Sequence, residues 1–261
     1  MTSLQLLLGA LSGGAVGFTL ALVGGGGSIL AVPLMVYLVG VGDPHVAIGT
    51  SALAVAANAL IGLVNHARNG NVKWRCAVTF AIAGSLGAWF GAMAGKAMDG
   101  QRLLALFAVL MLVVAGLMFR SRGREGDPDV VLDGGNAPKL LGSGAATGAL
   151  SGFFGIGGGF LVVPALMAST GMPILFAVGS SLVAVTAFGL TTASNYALSG
   201  LVAWPLAAVF IAGGAAGSLS GTRLATRLGS RKGALNTVLA GLITVVAIYM
   251  LYRTAGELGW I

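Results

Sequence analysis

The sequence predicts an all-α polytopic membrane protein made of two homologous, inverted repeats of about five helical segments each, with short or broken helices at glycine-rich motifs. Three observations predict this class. Hydrophobic residues make up 57% of the 261 residues and charged residues only 8%, whereas soluble domains carry about 25% charged residues. The apolar residues are grouped in ten segments, and the second half of the chain repeats motifs of the first. Such a chain could not cover a surface that faces water on all sides.

The ten apolar segments are predicted to be helices. They cover residues 3–23, 28–40, 44–66, 73–97, 102–120, 140–154, 159–171, 173–195, 203–222 and 233–252. Most have the length of about 20 residues that a spanning helix needs. Segments 28–40 and 159–171 are too short to cross a bilayer comfortably, so we interpret them as half-helices or re-entrant pieces. Asp43 is predicted to cap the N-terminus of the helix that begins at Pro44.

One polar stretch divides the chain. Residues 121–139 mix basic and acidic side chains and lack the apolar run of the flanking segments. We therefore predict a cytoplasmic linker at 121–139 between a first transmembrane repeat, 1–120, and a second transmembrane repeat, 140–261.

The two repeats match each other in order, at an offset of 130 or 131 residues. The matching pairs are residues 24–33 with 155–164, 49–51 with 179–181, Asn65 with Asn195, and Trp74 with Trp204. Chance similarity between apolar stretches would not pair a proline, an asparagine and a tryptophan in the same order. The sequence therefore indicates an internal duplication.

The distribution of basic residues predicts that the repeats have opposite orientations. The loop after the third segment carries Arg68, Lys73 and Arg75, whereas its counterpart in the second half carries no charge. The loop after the fourth segment is the more basic one in the second half, where it includes Arg223 and Arg227. Because short basic loops face the cytoplasm, we expect inverted repeats with both termini on the outer side.

Several functional classes are disfavoured. The net charge of +7 comes from Lys and Arg in short loops between apolar segments, so we expect no nucleic-acid partner. No His, Cys and carboxylate cluster has metal-ligand spacing, and the glycine runs lack the Gly-Lys-Ser/Thr of a phosphate-binding loop. We therefore expect no metal, no cofactor and no enzymatic activity.

The predicted spans carry ionised side chains only at their ends. Charges inside a bilayer usually mark proton relays or counter-ions, so a site at mid-membrane must here use backbone, hydroxyl and amide groups. Such groups suit an anion, because a helix N-terminus offers free N–H groups and the positive end of a dipole. We therefore expect a lipid bilayer around the protein and a small anion as its substrate.

The two glycine runs are the first candidate site. Glycine lets the backbone leave helical geometry and approach a ligand, and short Gly/Pro-interrupted segments at corresponding positions of two halves indicate a transporter site. The alternative is close packing of helices through small residues. Pro33 and Pro164 are expected in the first turn of the helix after each run. The candidate substrate-binding residues are Gly26, Gly27, Ser28, Gly157, Gly158 and Gly159.

Other glycines are spaced three and four residues apart in the fourth segment of each half. This spacing predicts a helix face that packs closely against a neighbour. The residues are Gly84, Gly87, Gly91, Gly214, Gly217 and Gly221.

Buried hydroxyl and amide groups complete the candidate substrate site. Thr50, Ser51, Ser180 and Ser181 occupy equivalent positions in the two halves and could donate to an anion. The alternative is that these hydroxyls bond back to carbonyls of their own helix. Asn58, which lies among Ala and Leu, must find a partner, either on another helix or on a ligand.

Three residues are candidate gate or vestibule contacts. Asn65 and Asn195 end the third segments of the two halves, and with inverted repeats they would lie on opposite faces of the membrane. Helix capping is the alternative for both asparagines. His66 lies beside Asn65, at a segment end.

The paired motifs resemble those of the TauE/SafE sulfite exporter family, also called the toluene-sulfonate uptake permease family. The resemblance lies in residues 24–28 with 32–33, 49–51, 152–159 with 163–164, and 179–181. It implies a secondary transporter of small sulfur-containing anions, such as sulfite or organosulfonates, in the bacterial inner membrane. We expect an exporter, with a passive anion channel or an uptake permease for a related organic anion as alternatives. A homodimer is one possible assembly.

Overall fold

Ten helical segments make up the fold in the computed structural model, which describes residues 2–120, 127, 130, 132–157, 159–228 and 232–257. None of the described residues forms a β-strand, so the all-α class is confirmed. The segments are α1 (Ser3–Val23), α2 (24–38), α3 (Pro44–Arg68), α4 (Trp74–Ala97), α5 (Gly100–Arg120), α6 (Ala137–Phe154), α7 (Gly159–Thr170), α8 (Ile174–Ala197), α9 (Trp204–Leu228) and α10 (Lys232–Glu257).

Five of these helices are long and apolar enough to cross a membrane, judged by the length and composition of the described residues. They are α1, α3, α4, α8 and α9. Shorter apolar helices lie within α2, α5, α7 and α10. The two segments predicted to be short, α2 and α7, are therefore short in the structure. α2 contains the first glycine run, and α7 begins at the end of the second.

The first short segment, α2, is irregular along its whole length. It begins as a 3₁₀ helix over Gly24–Leu30, becomes α-helical over Ala31–Pro33 and ends as a π-helix over Leu34–Leu38. Pro33 has no N–H and cannot bond to the carbonyl four residues before it, so the regular hydrogen-bond ladder is interrupted here.

In the other short segment, α7, the proline has a different place from the one predicted. The helix starts directly after the glycine run, at Gly159, and Pro164 lies inside it. The expectation of a proline in the first turn is therefore wrong for Pro164. α7 starts at the residue predicted for this segment, and it already has a full turn before its proline.

The helix ends follow local sequence signals. Asp43 accepts a hydrogen bond from the His45 N–H over 2.8 Å and Pro44 occupies the first turn of α3, so the predicted cap is confirmed. After α3 and α8 the chain reverses at Gly70 and Gly200, whose φ values are 71° and 72°. These left-handed values favour glycine, and their recurrence shows that corresponding loops fold alike.

The two halves are interlocked rather than side by side. α1 packs along α9 and α4 packs along α6, and these are the most extensive helix contacts of the fold. Gly87 and Gly91 lie against the backbone of Ala145 and Ala149 in α6. The backbones approach closely because no side chain separates them.

The equivalent interface uses the equivalent glycines. Gly217 lies against Gly14 of α1, and Gly221 lies against Phe18. The predicted packing role of these residues is confirmed. Each half therefore completes its structure with helices of the other.

α3 and α8 form the central helix pair, and they run antiparallel. Gly49, near the start of α3, lies against Tyr196 and Leu201, whereas Gly62, nearer its end, faces Leu182. α3 and α8 occupy equivalent places in the two halves. This pair of equivalent helices therefore points in opposite directions.

We expect Gly148→Ala in α6 to destabilise the protein, because the added methyl group would overlap the carbonyl oxygen of Gly84. Overpacking of this kind costs about 1–3 kcal/mol. Thermal unfolding in detergent, followed by circular dichroism, measures the effect.

The matched control is Gly142→Ala in the same helix. A Cβ there meets open space, and alanine favours a helix over glycine by about 0.5–1 kcal/mol. Equal melting temperatures for the two variants would contradict close backbone packing at Gly148.

Candidate functional site

The second glycine run reaches the middle of the central helix pair. Gly155 and Gly157 have φ values of 65° and 64°, which non-glycine residues rarely adopt. A Cβ on Gly157 would lie 3.0 Å from Cγ1 of Val55 and 3.4 Å from Cγ1 of Val185. Val55 and Val185 are equivalent residues, each about half-way along its helix. The chain therefore breaks where α3 and α8 face each other.

The first glycine run lies in the part of α2 that packs against α7, the helix that follows this break. Gly26, Gly27 and Ser28 are all buried, and Gly27 lies against Thr19 and Leu20 of α1. Gly159 begins α7, and Gly158 lies outside the described residues. The segments that carry the two glycine runs are therefore in contact, and their role in binding stays a prediction.

The chemistry available there is that of a helix start. The first N–H groups of an α-helix have no acceptor within the helix, and α7 begins two residues after Gly157. Such N–H groups and the positive end of the helix dipole favour a negative charge. The arrangement can hold a small anion without a positively charged side chain.

Thr50 and Ser180 form a reciprocal hydrogen-bonded clasp between the halves. The Ala203 N–H donates to Oγ1 of Thr50 over 2.9 Å, and the Lys73 N–H donates to Oγ of Ser180 over the same distance. Both donors directly precede a helix, α9 or α4. Each hydroxyl therefore holds the start of a helix of the other half.

The neighbouring serines bond to their own helix. Oγ of Ser51 donates to the Ile48 carbonyl over 3.0 Å, and Oγ of Ser181 donates to the Val178 carbonyl over 2.7 Å. Both residues are fully buried. This is the back-bonding alternative, so an anion would have to redirect these two protons.

The hydroxyl pairs of the two halves do not converge on one point. Thr50 and Ser51 lie near the start of α3, whereas Ser180 and Ser181 lie near the start of the antiparallel α8. A helix rise of 1.5 Å per residue puts the two pairs roughly 20 Å apart along the bundle. One small anion cannot contact both pairs at once, and the role of either pair in binding stays a prediction.

Asn58 is buried deep in α3, with 2% of its surface exposed. Its amide lies against Gly214 of α9. Among the described residues, neither Nδ2 nor Oδ1 of Asn58 has a hydrogen-bond partner. The structure therefore leaves this predicted contact residue unsatisfied and does not place it in a helix-to-helix hydrogen bond.

The candidate gate residues lie at the two ends of the central helix pair. Asn65 and His66 are in the last turns of α3. Asn195 is in the last turn of α8, next to Tyr196, which packs against the start of α3. Asn195 is 3% exposed, and Asn65 and His66 are half-buried. Their positions at opposite ends of the central pair suit gating at two ends, which stays a prediction.

Lys96 has a structural role that its sequence position does not indicate. Its Nζ donates to the Asn195 carbonyl over 3.1 Å and to Oγ of Ser199 over 2.7 Å. It also lies 5.8 Å from the centre of the Tyr196 ring. Lys96 thus caps the C-terminal end of α8, where a cation is favoured. The position of a lysine at the end of a segment does not indicate which distant residue it will contact.

Two cavities flank the clasp at Ala203. The larger has a volume of about 240 Å³ and is lined in part by Val46, Ala203 and Leu206. The smaller, of about 90 Å³, is lined in part by Leu53 and Trp204. Within the described ranges, no three His, Cys, Asp or Glu residues group as metal ligands would.

The chain is similar to one protein family and to several membrane transporter proteins. The family model described as sulfite exporter TauE/SafE matches residues 9–250. A probable membrane transporter protein of Xylella fastidiosa is 51% identical over 99% of both chains. The probable membrane transporter protein YunE of Bacillus subtilis is 28% identical over 82% of this chain and 85% of its own. No solved structure matches the chain.

We expect Thr50→Val to destabilise the protein by about 1 kcal/mol, because the part-buried N–H of Ala203 loses its acceptor. The shape of the side chain is nearly unchanged, so lost packing contributes little. Chemical or thermal unfolding in detergent measures the difference.

Thr191→Val is the matched control. The Thr191 hydroxyl only donates to the Ala187 carbonyl of its own helix over 2.8 Å, so we expect a change below about 0.5 kcal/mol. If both variants unfold like the parent protein, the clasp does not hold the halves together.

Proposed function

The chain belongs to the TauE/SafE sulfite exporter family, and from this premise we propose that it is a secondary transporter that exports sulfite or small organosulfonates. Members of this family are membrane transporters, and the described helices include five that are long and apolar enough to span a bilayer. Its substrate, the direction of transport and its location in the bacterial inner membrane are our proposals.

One observation carries the proposal. Gly157 lies between α3 and α8 at mid-helix, α7 starts two residues after it, and the 3₁₀ part of α2 packs against α7. Irregular backbone at membrane depth is tolerated where it is buried in protein or lines a cavity. Discontinuous helices whose N-termini face an anionic group are a recurrent substrate site in secondary transporters.

Because the predicted spans carry charges only at their ends, an ion bound at mid-membrane must be held by N–H groups, hydroxyl groups and helix dipoles. An ion that leaves water needs such groups to replace its hydration shell, and a helix N-terminus supplies them to small oxyanions. Hydrogen sulfite and sulfonates are small oxyanions with a single negative charge, and the family that matches the chain is described as sulfite exporters.

We propose an inverted-repeat topology with alternating access. Two observations support it, namely the exchange of basic loops between the halves and the antiparallel α3 and α8. Rocking of one repeat against the other would then expose the central site to each side in turn. Labelling by a membrane-impermeant reagent at loops 69–73 and 198–203, expected from opposite sides, tests this arrangement.

Flux into proteoliposomes tests the function. We expect the purified protein to move labelled sulfite or organosulfonates down an imposed gradient, with saturation kinetics and counterflow, and a comparison with and without a pH gradient identifies proton coupling. Flux without saturation or counterflow would indicate a passive anion channel. No flux of any such anion above protein-free liposomes would refute the proposal.

We further expect Ser51→Ala or Ser181→Ala to raise the KM for the transported anion about tenfold. Each removes one hydroxyl donor, and a hydrogen bond to a charged group contributes about 1.5–3 kcal/mol. Initial rates over a range of anion concentrations give the KM.

Ser143→Ala is the control for these two variants. Its hydroxyl also donates to a carbonyl three residues earlier, Leu140, but it lies on α6 and is only half-buried. Unchanged KM values in both Ser51→Ala and Ser181→Ala would remove these hydroxyls from the substrate site.

A further inference from the structure

Equivalent positions in α3 and α8 hold chemically different side chains. Asn58 of α3 covers Gly214 of α9, and Phe188 of α8 covers Gly84 of α4 in the same way. Phe188 stacks on Phe80, with ring centres 6.0 Å apart. An aromatic side chain therefore fills this place in one half, so packing alone does not require an amide in the other.

Burial of the Asn58 amide also lowers the stability of the folded protein. It is 2% exposed, and among the described residues both of its polar atoms lack a hydrogen-bond partner. Burying an amide without partners costs free energy, and each such group in a native structure calls for an explanation. A ligand that reaches Asn58 during transport would supply the missing hydrogen bonds.

The interface that holds Asn58 is the looser of the two equivalent ones. α8 packs against α4 more extensively than α3 packs against α9. The larger cavity lies at the Ala203 end of the α3–α9 interface, where Val46 and Leu206 line it. The smaller one lies beside Trp204 of α9, between Leu53 of α3 and the C-terminal part of α8. Free space therefore lies at one end of the α3–α9 interface, and the unpartnered amide of Asn58 lies deeper along the same interface.

We propose that the substrate passes between α3 and α9 and contacts both polar atoms of Asn58, while the Phe188–Phe80 stack closes the equivalent α4–α8 interface. This inference rests on the proposed function and specifies its substrate class. Nδ2 donates to an ionised oxygen, and Oδ1 accepts from a hydrogen-bond donor. The preferred substrate is then a small sulfur oxyanion that also carries a donor, such as a hydroxylated sulfonate.

The specificity follows from the amide's two-sided chemistry. A sulfonate without a donor pairs Nδ2 but leaves the buried Oδ1 unsatisfied. Buried polar groups left unpaired by an analogue are an effective source of discrimination, reaching several orders of magnitude in enzymes. Asn58 is thus a substrate-binding residue that only the first half provides.

Two sulfonates that differ by one hydroxyl group test the proposal. In proteoliposomes we expect the unmodified protein to transport 2-hydroxyethanesulfonate at least about tenfold more efficiently, by kcat/KM, than ethanesulfonate. Asn58→Leu, which keeps the size of the side chain, should remove this preference. Its melting temperature should equal or exceed that of the parent, because a buried unpaired amide is lost.

Phe188→Leu is the matched control at the equivalent position. It should lower the melting temperature, because the stack with Phe80 is lost, and leave the preference for 2-hydroxyethanesulfonate unchanged. The preference is a ratio within one preparation, so a loss of folded protein does not alter it.

The outcomes separate this inference from the proposed function. Transport of both sulfonates by the unmodified protein without preference, or an unchanged preference in Asn58→Leu, overturns the role of Asn58 and leaves the transporter intact. Failure of the unmodified protein to transport sulfite or either sulfonate overturns the proposed function itself.

Discussion

The reciprocal clasp between the halves is the interaction on which the rest of the arrangement depends. Backbone N–H groups inside an apolar environment must find acceptors, and those of Ala203 and Lys73 find them on Thr50 and Ser180. The adjoining glycines, Gly49 and Gly179, let the opposite loop backbone come close. These contacts fix the antiparallel register of α3 and α8, and that register places Val55 and Val185 on either side of the glycine break.

Around this clasp, small residues replace charges as the means of assembly. α1 with α9 and α4 with α6 approach at glycine and alanine backbones, and this contact is van der Waals packing that needs no ionised group. The proposed site also needs none. A chain whose predicted spans carry charges only at their ends can still favour an anion, because helix starts present N–H groups and a dipole of fixed direction.

The near-symmetry of the fold makes its exceptions informative. The serines that bond to their own helix recur in both halves, and each bonds to the carbonyl three residues before it. At one pair of equivalent positions the halves differ, because one holds Asn58 and the other Phe188. Lys96 adds a further contact between the halves, because it caps α8 across the bundle. A duplicated scaffold keeps what both halves need for folding. Differences between the halves are therefore where function specific to one side is best sought.

The sequence by itself determined that there are ten segments, the start of α3 and the internal duplication of motifs, because apolar length and the positions of Asp43 and Pro44 act locally. It could not tell which hydroxyls link the halves. Thr50 and Ser51 are adjacent and chemically alike, yet successive residues of a helix point about 100° apart. One therefore meets the Ala203 backbone and the other its own helix. Only the tertiary structure decides this, since the partner lies 153 residues away in the chain.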